Sequence, residues 1–275
     1  LAPLTVEEVQ TAIAILKLEK ELGEKVRFPT VALREPLKEI VLNFVEGAEF
    51  PREVFIQVLD NTAAKTYEAI ISLNEGAVIS YEEIEGVQPG IMPEEFIECE
   101  NIVKANPDFL AALATRGIDN PDLVMVDPWS TGYFDIPENE GKRLARAICW
   151  VKKFPEDNGY AYPLTGIVVY VDLNRMEVDR VEDYGPREMP TVDGNYYPEV
   201  SDSIEFREDL KPLEIIQPEG PSFTVEGNLI KWQKWSFRYG FTPREGLVLY
   251  TVNYHDKGVD RPILYRGALS EMVVP

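Results

Sequence analysis

Side chains that commonly do chemistry are few in this sequence. His255 is the only histidine, and Cys99 and Cys149 are the only cysteines. A histidine-rich metal site, a Ser-His-Asp relay and a cysteine-based zinc site are therefore nearly excluded, unless His255 acts alone. Each cysteine stands in an apolar run, which predicts a buried and inert thiol. His255 lies in residues 253–258, where a strand is expected to enter a turn, so we expect a solvated side chain.

Acidic residues are numerous but do not single out a site. The chain carries 27 Lys and Arg against 48 Asp and Glu, a net charge of −21. Neighbouring carboxylates such as Glu7 and Glu8 are typical of a solvated rim, and the sequence has no phosphate-binding glycine loop or calcium-loop spacing. A surface that follows nucleic-acid phosphates would have to overcome this repulsion, so we expect no nucleic-acid partner. Trp129, or Trp232 with Trp235, offers an aromatic wall for a ligand, although such residues more often pack in a core or an interface.

The elements that must position any site belong to a chain of ordinary globular composition. Its 275 residues allow about two domains, or two and part of a third, and an apolar content of 45% supplies a core. No stretch approaches the roughly 18 apolar residues of a membrane helix. We therefore expect a soluble protein without a membrane partner, with the cytoplasm as its compartment.

One pattern, a helix followed by antiparallel strands, occurs twice along the chain. Thr5 and Glu8 form a capping box before a first helix that is expected to end near Gly23. Pro93 opens the second helix, which restarts at Asn106. Strands are predicted at 26–35, 54–60, 66–73 and 77–81 after the first helix, and at 123–127, 144–152, 167–173 and 177–183 after the second.

The two copies are matched through their hairpins. The strand at 54–60 and its return strand resemble the strand at 168–173 and its return strand in order and composition. This similarity predicts two copies of one small helix-plus-sheet unit, at 1–90 and 91–184.

After the second unit the composition changes. Six prolines between residues 185 and 221 predict an extended connector. Strands rich in aromatic and branched residues follow at 223–225, 229–241, 247–254 and 262–265, with a further apolar stretch at 271–275. Trp232 and Trp235 break strict alternation, which predicts a bulge between them. About 55 residues of strand are too few for a barrel or sandwich of ordinary size, so we expect the beginning of a third domain and not a complete one.

Several linear blocks resemble the copper- and topaquinone-dependent primary-amine oxidases. The blocks are Gln-Pro-Glu-Gly-Pro-Ser-Phe-Thr-Val at 217–225, Trp-Gln-Lys-Trp at 232–235, Pro-Arg-Glu-Gly-Leu-Val-Leu at 243–249, Arg-Pro-Ile-Leu-Tyr-Arg at 261–266 and Ser-Glu-Met-Val-Val-Pro at 270–275. The similarity continues backwards through Phe-Pro-Glu-Asp-Asn-Gly-Tyr-Ala at 154–161, Val-Asp-Pro-Trp-Ser at 126–130 and the opening helix. It covers essentially the whole chain.

The resemblance implies a fold and an activity. The family has two small α/β domains ahead of a large β-sandwich catalytic domain, so we expect an α+β protein with small domains at 1–90 and 91–184, a connector at 185–221 and the incomplete start of the sandwich at 222–275. The implied reaction is oxidative deamination of a primary amine by dioxygen, which gives an aldehyde, ammonia and hydrogen peroxide. Copper and topaquinone are the cofactors of the full-length enzyme, and relatives are homodimers, largely through the catalytic domain.

The resemblance also implies that this chain lacks the catalytic centre. In the family three histidines hold copper, the quinone is made from the tyrosine of an Asn-Tyr-Asp/Glu motif, and an aspartate base follows the Met-Val-Val-Pro block. The Asn-Tyr pairs at 195–196 and 253–254 lack the acid, and one histidine cannot supply three ligands. We therefore expect no catalytic residue, no bound cofactor and no activity from this chain alone.

Four residues fall where the family's substrate channel is lined: Phe96, Pro128, Trp129 and Tyr160. Aromatic side chains there would select the size and hydrophobicity of the amine through contact area. Ordinary packing between domains is the competing interpretation of these four residues.

A second function class remains open at this point. Because every catalytic group is absent, the chain also fits a non-catalytic binding or assembly module derived from an amine oxidase. A half-built third domain argues against it, since unpaired strand edges and exposed aromatic residues favour aggregation.

Overall fold

The computed structural model describes residues 1–132, 134–189 and 207–269. The chain divides into two compact units, one of residues 1–59, 66–85 and 212–275 and the other of residues 60–65 and 86–211. Helices pack on antiparallel sheets, which confirms the α+β class. The sequence-based domain boundaries stay predictions.

The first small sheet is covered by one helix. Its elements are α1 Val6–Glu19, β1 Val26–Arg34, α2 Lys38–Leu42, β2 Glu53–Asp60, β3 Lys65–Ser72 and β4 Ala77–Glu83, with the strands in the order β1-β2-β3-β4. The capping box is confirmed, because Glu8 N donates to Thr5 Oγ1 and Thr5 N donates to Glu8 Oε2. Ala12 and Leu16 on α1 are fully buried against the sheet. The short helix α2 was not predicted.

The second small sheet repeats this arrangement with a two-part helix. Its elements are α3 Pro93–Ala105, α4 Pro107–Ala114, β5 Val124–Ser130, β6 Leu144–Val151, β7 Ile167–Asp172 and β8 Glu177–Asp183, with the strands in the order β5-β6-β7-β8. Asn106 ends α3 and caps α4, because its Oδ1 accepts hydrogen bonds from the amides of Asp108 and Phe109. Cys99 and Cys149 lie in this core as free, buried thiols, as predicted.

An arginine–glutamate ion pair at the same place in each copy, called a clamp below, shows which strands of the two copies correspond. In each copy an arginine just before a strand binds the N-terminal glutamate of the helix and accepts a hydrogen bond from a leucine amide at its own carbonyl. Arg52 does so with Glu8 and Leu73, and Arg143 does so with Glu95 and Leu173.

These clamps correct the alignment of the repeat. They match β2 with β6 and β3 with β7, whereas the sequence pattern had matched the strand at 54–60 with the strand at 168–173. The repeat itself was predicted correctly, but the hairpins were paired one strand out of step because consecutive buried strands have similar compositions.

A five-stranded antiparallel meander forms the rest of the first unit. Its strands are β9 Phe223–Glu226, β10 Leu229–Trp232, β11 Trp235–Thr242, β12 Gly246–Asp256 and β13 Val259–Ala268. The predicted bulge between Trp232 and Trp235 is wrong. These two residues pair directly across a tight turn in which Gln233 has φ +55°, and the irregularity lies instead between Ser236 and Arg238.

The two faces of this meander differ in exposure. Val248 and Tyr250 point to one face and are buried, and the Tyr250 hydroxyl donates to Glu35 of the same unit at 2.8 Å. Phe241 and Leu247 pair on the other face, where Phe241 is 82% exposed. One sheet face is therefore packed, and the other presents apolar side chains to solvent.

The predicted connector is only partly described. Residues 207–222 have no helix or strand, as expected for an extended segment, and Leu213 and Ile215 are almost fully exposed. Residues 190–206, with the Asn-Tyr pair at 195–196, and the block at 270–275 lie outside the described residues. Within the described ranges no helix is both long enough and apolar enough to cross a membrane.

Candidate functional site

The candidate site lies on the face of the second small sheet that is turned away from the helices. Along β5 the side chains alternate, because successive residues of a strand point to opposite faces. Val124 and Val126 are buried under the helices. Asp127 and Trp129 therefore share the open face, where Trp129 is 59% exposed.

A loop after β6 places Tyr160 over this face. The buried carboxylate of Asp157 shapes the loop by accepting hydrogen bonds from the amides of Lys153 and Asn158. The amide of Tyr160 then donates to Asn158 Oδ1. These local bonds turn the chain so that the ring of Tyr160 reaches back to β5.

The Tyr160 side chain contacts Asp127 and Trp150. Its hydroxyl donates to Asp127 Oδ2 at 3.1 Å, and its ring meets the Trp150 ring edge-on with centroids 5.1 Å apart. The hydrogen bond and negative charge of Asp127 raise the pKa of the Tyr160 phenol, because both favour the protonated hydroxyl. The ring is nonetheless 61% exposed and offers an aromatic surface to a ligand.

The structure divides the four residues predicted from the sequence. Trp129 and Tyr160 lie on the open face. Trp129 stands two residues after Asp127 on β5, and Tyr160 donates a hydrogen bond to Asp127. Pro128 points inward and is buried, opposite Ala147 of β6. Phe96 lies on α3 in the helix layer and is itself 40% exposed.

Sequence reasoning missed Asp127 and Trp150. The signal for Asp127 was available, since it stands two residues from Trp129 in a strand and must share its face. No local pattern links Trp150 to Tyr160, because their contact depends on the loop that follows β6.

The described residues do not fit a copper site. His255 lies on β12 with an exposed side chain, and its Nδ1 is 2.7 Å from Asp260 Oδ1. The described ranges contain no group of three or more His, Cys, Asp or Glu side chains arranged to hold a metal. We therefore assign no copper ligand and derive no chemical step through copper or a quinone in this chain.

Two cavities lie elsewhere. One of about 450 Å³ in the first unit is mainly apolar and is lined by α2 side chains such as Ile40 and Val41, with Phe44 and Phe50. The other, of about 720 Å³ in the second unit, is lined by residues around Gly132 and Lys142. Neither is lined by Trp129 or Tyr160, and both of these side chains are more than half exposed.

Three family models match the chain in succession. The AGAO-like N2 domain matches residues 5–81, the copper amine oxidase N3 domain matches residues 94–197, and the copper amine oxidase enzyme domain matches residues 224–275.

Similar proteins include two bacterial oxidases. The chain is 46% identical to a primary amine oxidase of Arthrobacter sp. (strain P1) and 39% identical to a histamine oxidase of Arthrobacter globiformis, in each case over all of this chain. It spans 42% and 40% of the lengths of these two relatives. The crystal structure of a copper-containing benzylamine oxidase from Hansenula polymorpha has the same fold, with a TM-score of 0.82 at 24% identity over 97% of this chain and 43% of that one.

Proposed function

Because this chain belongs to the copper amine oxidase family, we propose that it forms the part of a primary-amine oxidase that precedes the catalytic centre. The full-length enzyme would convert a primary amine and dioxygen to an aldehyde, ammonia and hydrogen peroxide with copper and topaquinone. The observation that supports this proposal most strongly is that three family models match the chain in succession. The chain is also 46% identical over its whole length to a primary amine oxidase.

In this proposal the open face of the second small sheet borders the route of the amine. Two exposed aromatic rings, Trp129 and Tyr160, support a lining role, since apolar contact area discriminates amines by size. The lining role of Phe96 stays a separate prediction, because this residue lies in the helix layer on the other side of the sheet. Pro128 would act indirectly, because it is buried and stands next to Trp129 in β5.

The five-stranded meander supports the start of a β-sandwich at 222–275. A sandwich packs two sheets face to face about 10 Å apart, and each sheet contributes an apolar inner face. Phe241 and Leu247 form such a face here, with Phe223 and Trp232 on the same side by the strand register. A non-catalytic module of this length would leave that face in water, which is why the enzyme is the better proposal.

Cofactors and assembly belong to the whole enzyme in this proposal. Copper, topaquinone and the base would come from residues that this chain does not contain, so the chain alone would be inactive. Homodimerisation would run largely through the catalytic domain.

The test begins with the intact mass of the protein purified under denaturing conditions from its natural source. We expect a mass well above the 31.2 kDa of this chain, absorbance of a quinone that phenylhydrazine shifts, and peroxide release with methylamine or benzylamine. A product of about 31.2 kDa that binds no copper and releases no peroxide would contradict the proposal.

A further inference from the structure

We propose that Asp127 and Trp150 are positioning residues that fix the ring of Tyr160 beside Trp129 and thereby set which amines pass this face. The inference rests on the proposed function, because it assigns a role within the substrate route. Neither Asp127 nor Trp150 is proposed to touch the reacting atoms.

An exposed tyrosine ordinarily samples several rotamers, so a fixed ring needs restraints. Tyr160 has them at three places. Its hydroxyl is held by Asp127, its ring edge by Trp150 and its amide by Asn158. The ring is therefore exposed on one side and held on the other.

The loop itself is seated on the strand that carries Trp129. A β-carbon on Gly159 would lie 2.8 Å from the sulfur of Met125, so the loop backbone lies directly against the Met125 side chain. Met125, Asp127 and Trp129 alternate onto the same face of β5. The loop thus meets that face at Met125 and again at Asp127, about 7 Å from Trp129 along the strand.

The carboxylate of Asp127 is available for this task. Arg146 lies opposite Trp129 on β6, yet within the described part of the chain Asp127 forms no ion pair with it or with any other cation. Its described side-chain hydrogen bond is the one from Tyr160. A role in positioning the Tyr160 hydroxyl therefore explains the presence of Asp127 on this face better than an ion pair does.

The test uses the full-length, cofactor-containing enzyme and the ratio of kcat/KM for benzylamine to that for methylamine. We expect Asp127→Ala and Tyr160→Phe each to change this ratio about two- to tenfold, through KM and not kcat, as expected for one lost hydrogen bond. The double variant is expected to match either single variant, because both remove the same contact. Asp127→Asn keeps an acceptor and is expected to restore most of the ratio.

Glu182→Ala supplies the matched control, because it removes the acceptor of an equivalent tyrosine. Tyr184 is 64% exposed and donates to Glu182 at 2.7 Å, so it repeats the tyrosine–carboxylate pair at the opposite edge of the sheet. This variant is expected to leave the ratio unchanged. An equal change in the control, or an unchanged ratio in Asp127→Ala, would overturn the inference.

A second readout separates this inference from the proposed function. In ¹³C-tyrosine NMR spectra of the protein, Asp127→Ala is expected to lower the pKa of Tyr160 towards its ordinary value and to broaden its ring signals. If the enzyme oxidises no amine, the proposed function fails. If it oxidises amines and the Tyr160 signals do not respond to either Asp127 variant, the positioning role fails alone.

Discussion

Glu95 and Arg143 form a bidentate ion pair that is almost completely buried, with N–O distances of 2.6 and 2.8 Å. Their side chains are 0% and 4% exposed. Glu95 also accepts from the Met92 amide at the start of α3, and Arg143 also donates to the Gly90 carbonyl. One pair therefore ties the first turn of a helix to the strand that begins after Arg143.

Removal of either partner is expected to destabilise the second unit strongly. Glu95→Ala or Arg143→Ala leaves one buried charge without its counterion, which costs about 3–5 kcal/mol. Urea unfolding of this chain, followed by circular dichroism, measures the loss. The double variant Glu95→Leu/Arg143→Met is expected to lose less than either single variant, because it leaves no charge behind. A double variant as unstable as the single ones would contradict this account.

The equivalent pair in the first copy provides a comparison within the same chain. Glu8 and Arg52 are 28% and 14% exposed, so water partly solvates whichever charge remains. We expect Glu8→Ala to cost about 1 kcal/mol by the same urea measurement. Equal losses at the two clamps would show that burial does not control their strength.

Acid is expected to weaken the Glu8–Arg52 clamp. The hydrogen bond from Arg52 holds the pKa of Glu8 below its ordinary value of 4.5. The folded chain therefore binds this proton less readily than the unfolded chain, and the clamp contributes its full stability above pH of about 4.5. The contribution is lost as the pH falls through the lowered folded pKa. Melting temperatures from pH 7 to 3 are expected to show a shrinking difference between the parent chain and Arg52→Met.

The two cysteines are expected to be inert while the chain is folded. Burial raises the pKa of both Cys99 and Cys149 to about 12, which leaves almost no thiolate at neutral pH. A thiol reagent such as DTNB is expected to modify neither residue in buffer and both in 6 M guanidinium. Rapid modification of the native chain would show that the core around α3 opens.

Arg266 is expected to resist replacement by lysine. Its guanidinium contacts both carboxylate oxygens of Glu35 and both of Glu245, a geometry that a lysine ammonium cannot reproduce. Arg266→Lys is expected to cost about 1–2 kcal/mol in urea unfolding of the first unit. The matched control is Arg261→Lys on the same strand, which makes one exposed contact to Asp256 and is expected to cost little.

Short-range chemistry made much of this fold predictable. The capping box at Thr5 and Glu8 and the Asn106 cap each need only neighbouring residues, so the sequence pattern located both helix starts. The clamp between Glu95 and Arg143 joins residues 48 positions apart, and no local sequence pattern predicts it. For the same reason the strands of the two repeats were individually placed but wrongly matched.

The hairpin at Trp232 and Trp235 shows a different limit. The spacing of the two tryptophans fits either a bulge or a two-residue turn, and the turn needs Gln233 at a positive φ that glutamine seldom adopts. Only part of the candidate site could be predicted from the sequence. Trp129 and Tyr160 were named from their blocks, whereas the inward direction of Pro128 emerges only from the alternation of β5.

The first unit joins residues from both ends of the chain, with Glu35 bound to Arg266 across 231 positions. Residues 86–211 are synthesised between those two segments. At about 5–20 residues per second, Arg266 is made on the order of 10–50 s after Glu35. During that interval Glu35 lacks its partner Arg266, while all residues of the second unit are translated and that unit can fold. Of the two units, the one whose first segment is translated earlier therefore receives strands β9 to β13 only after every residue of the other unit has been made.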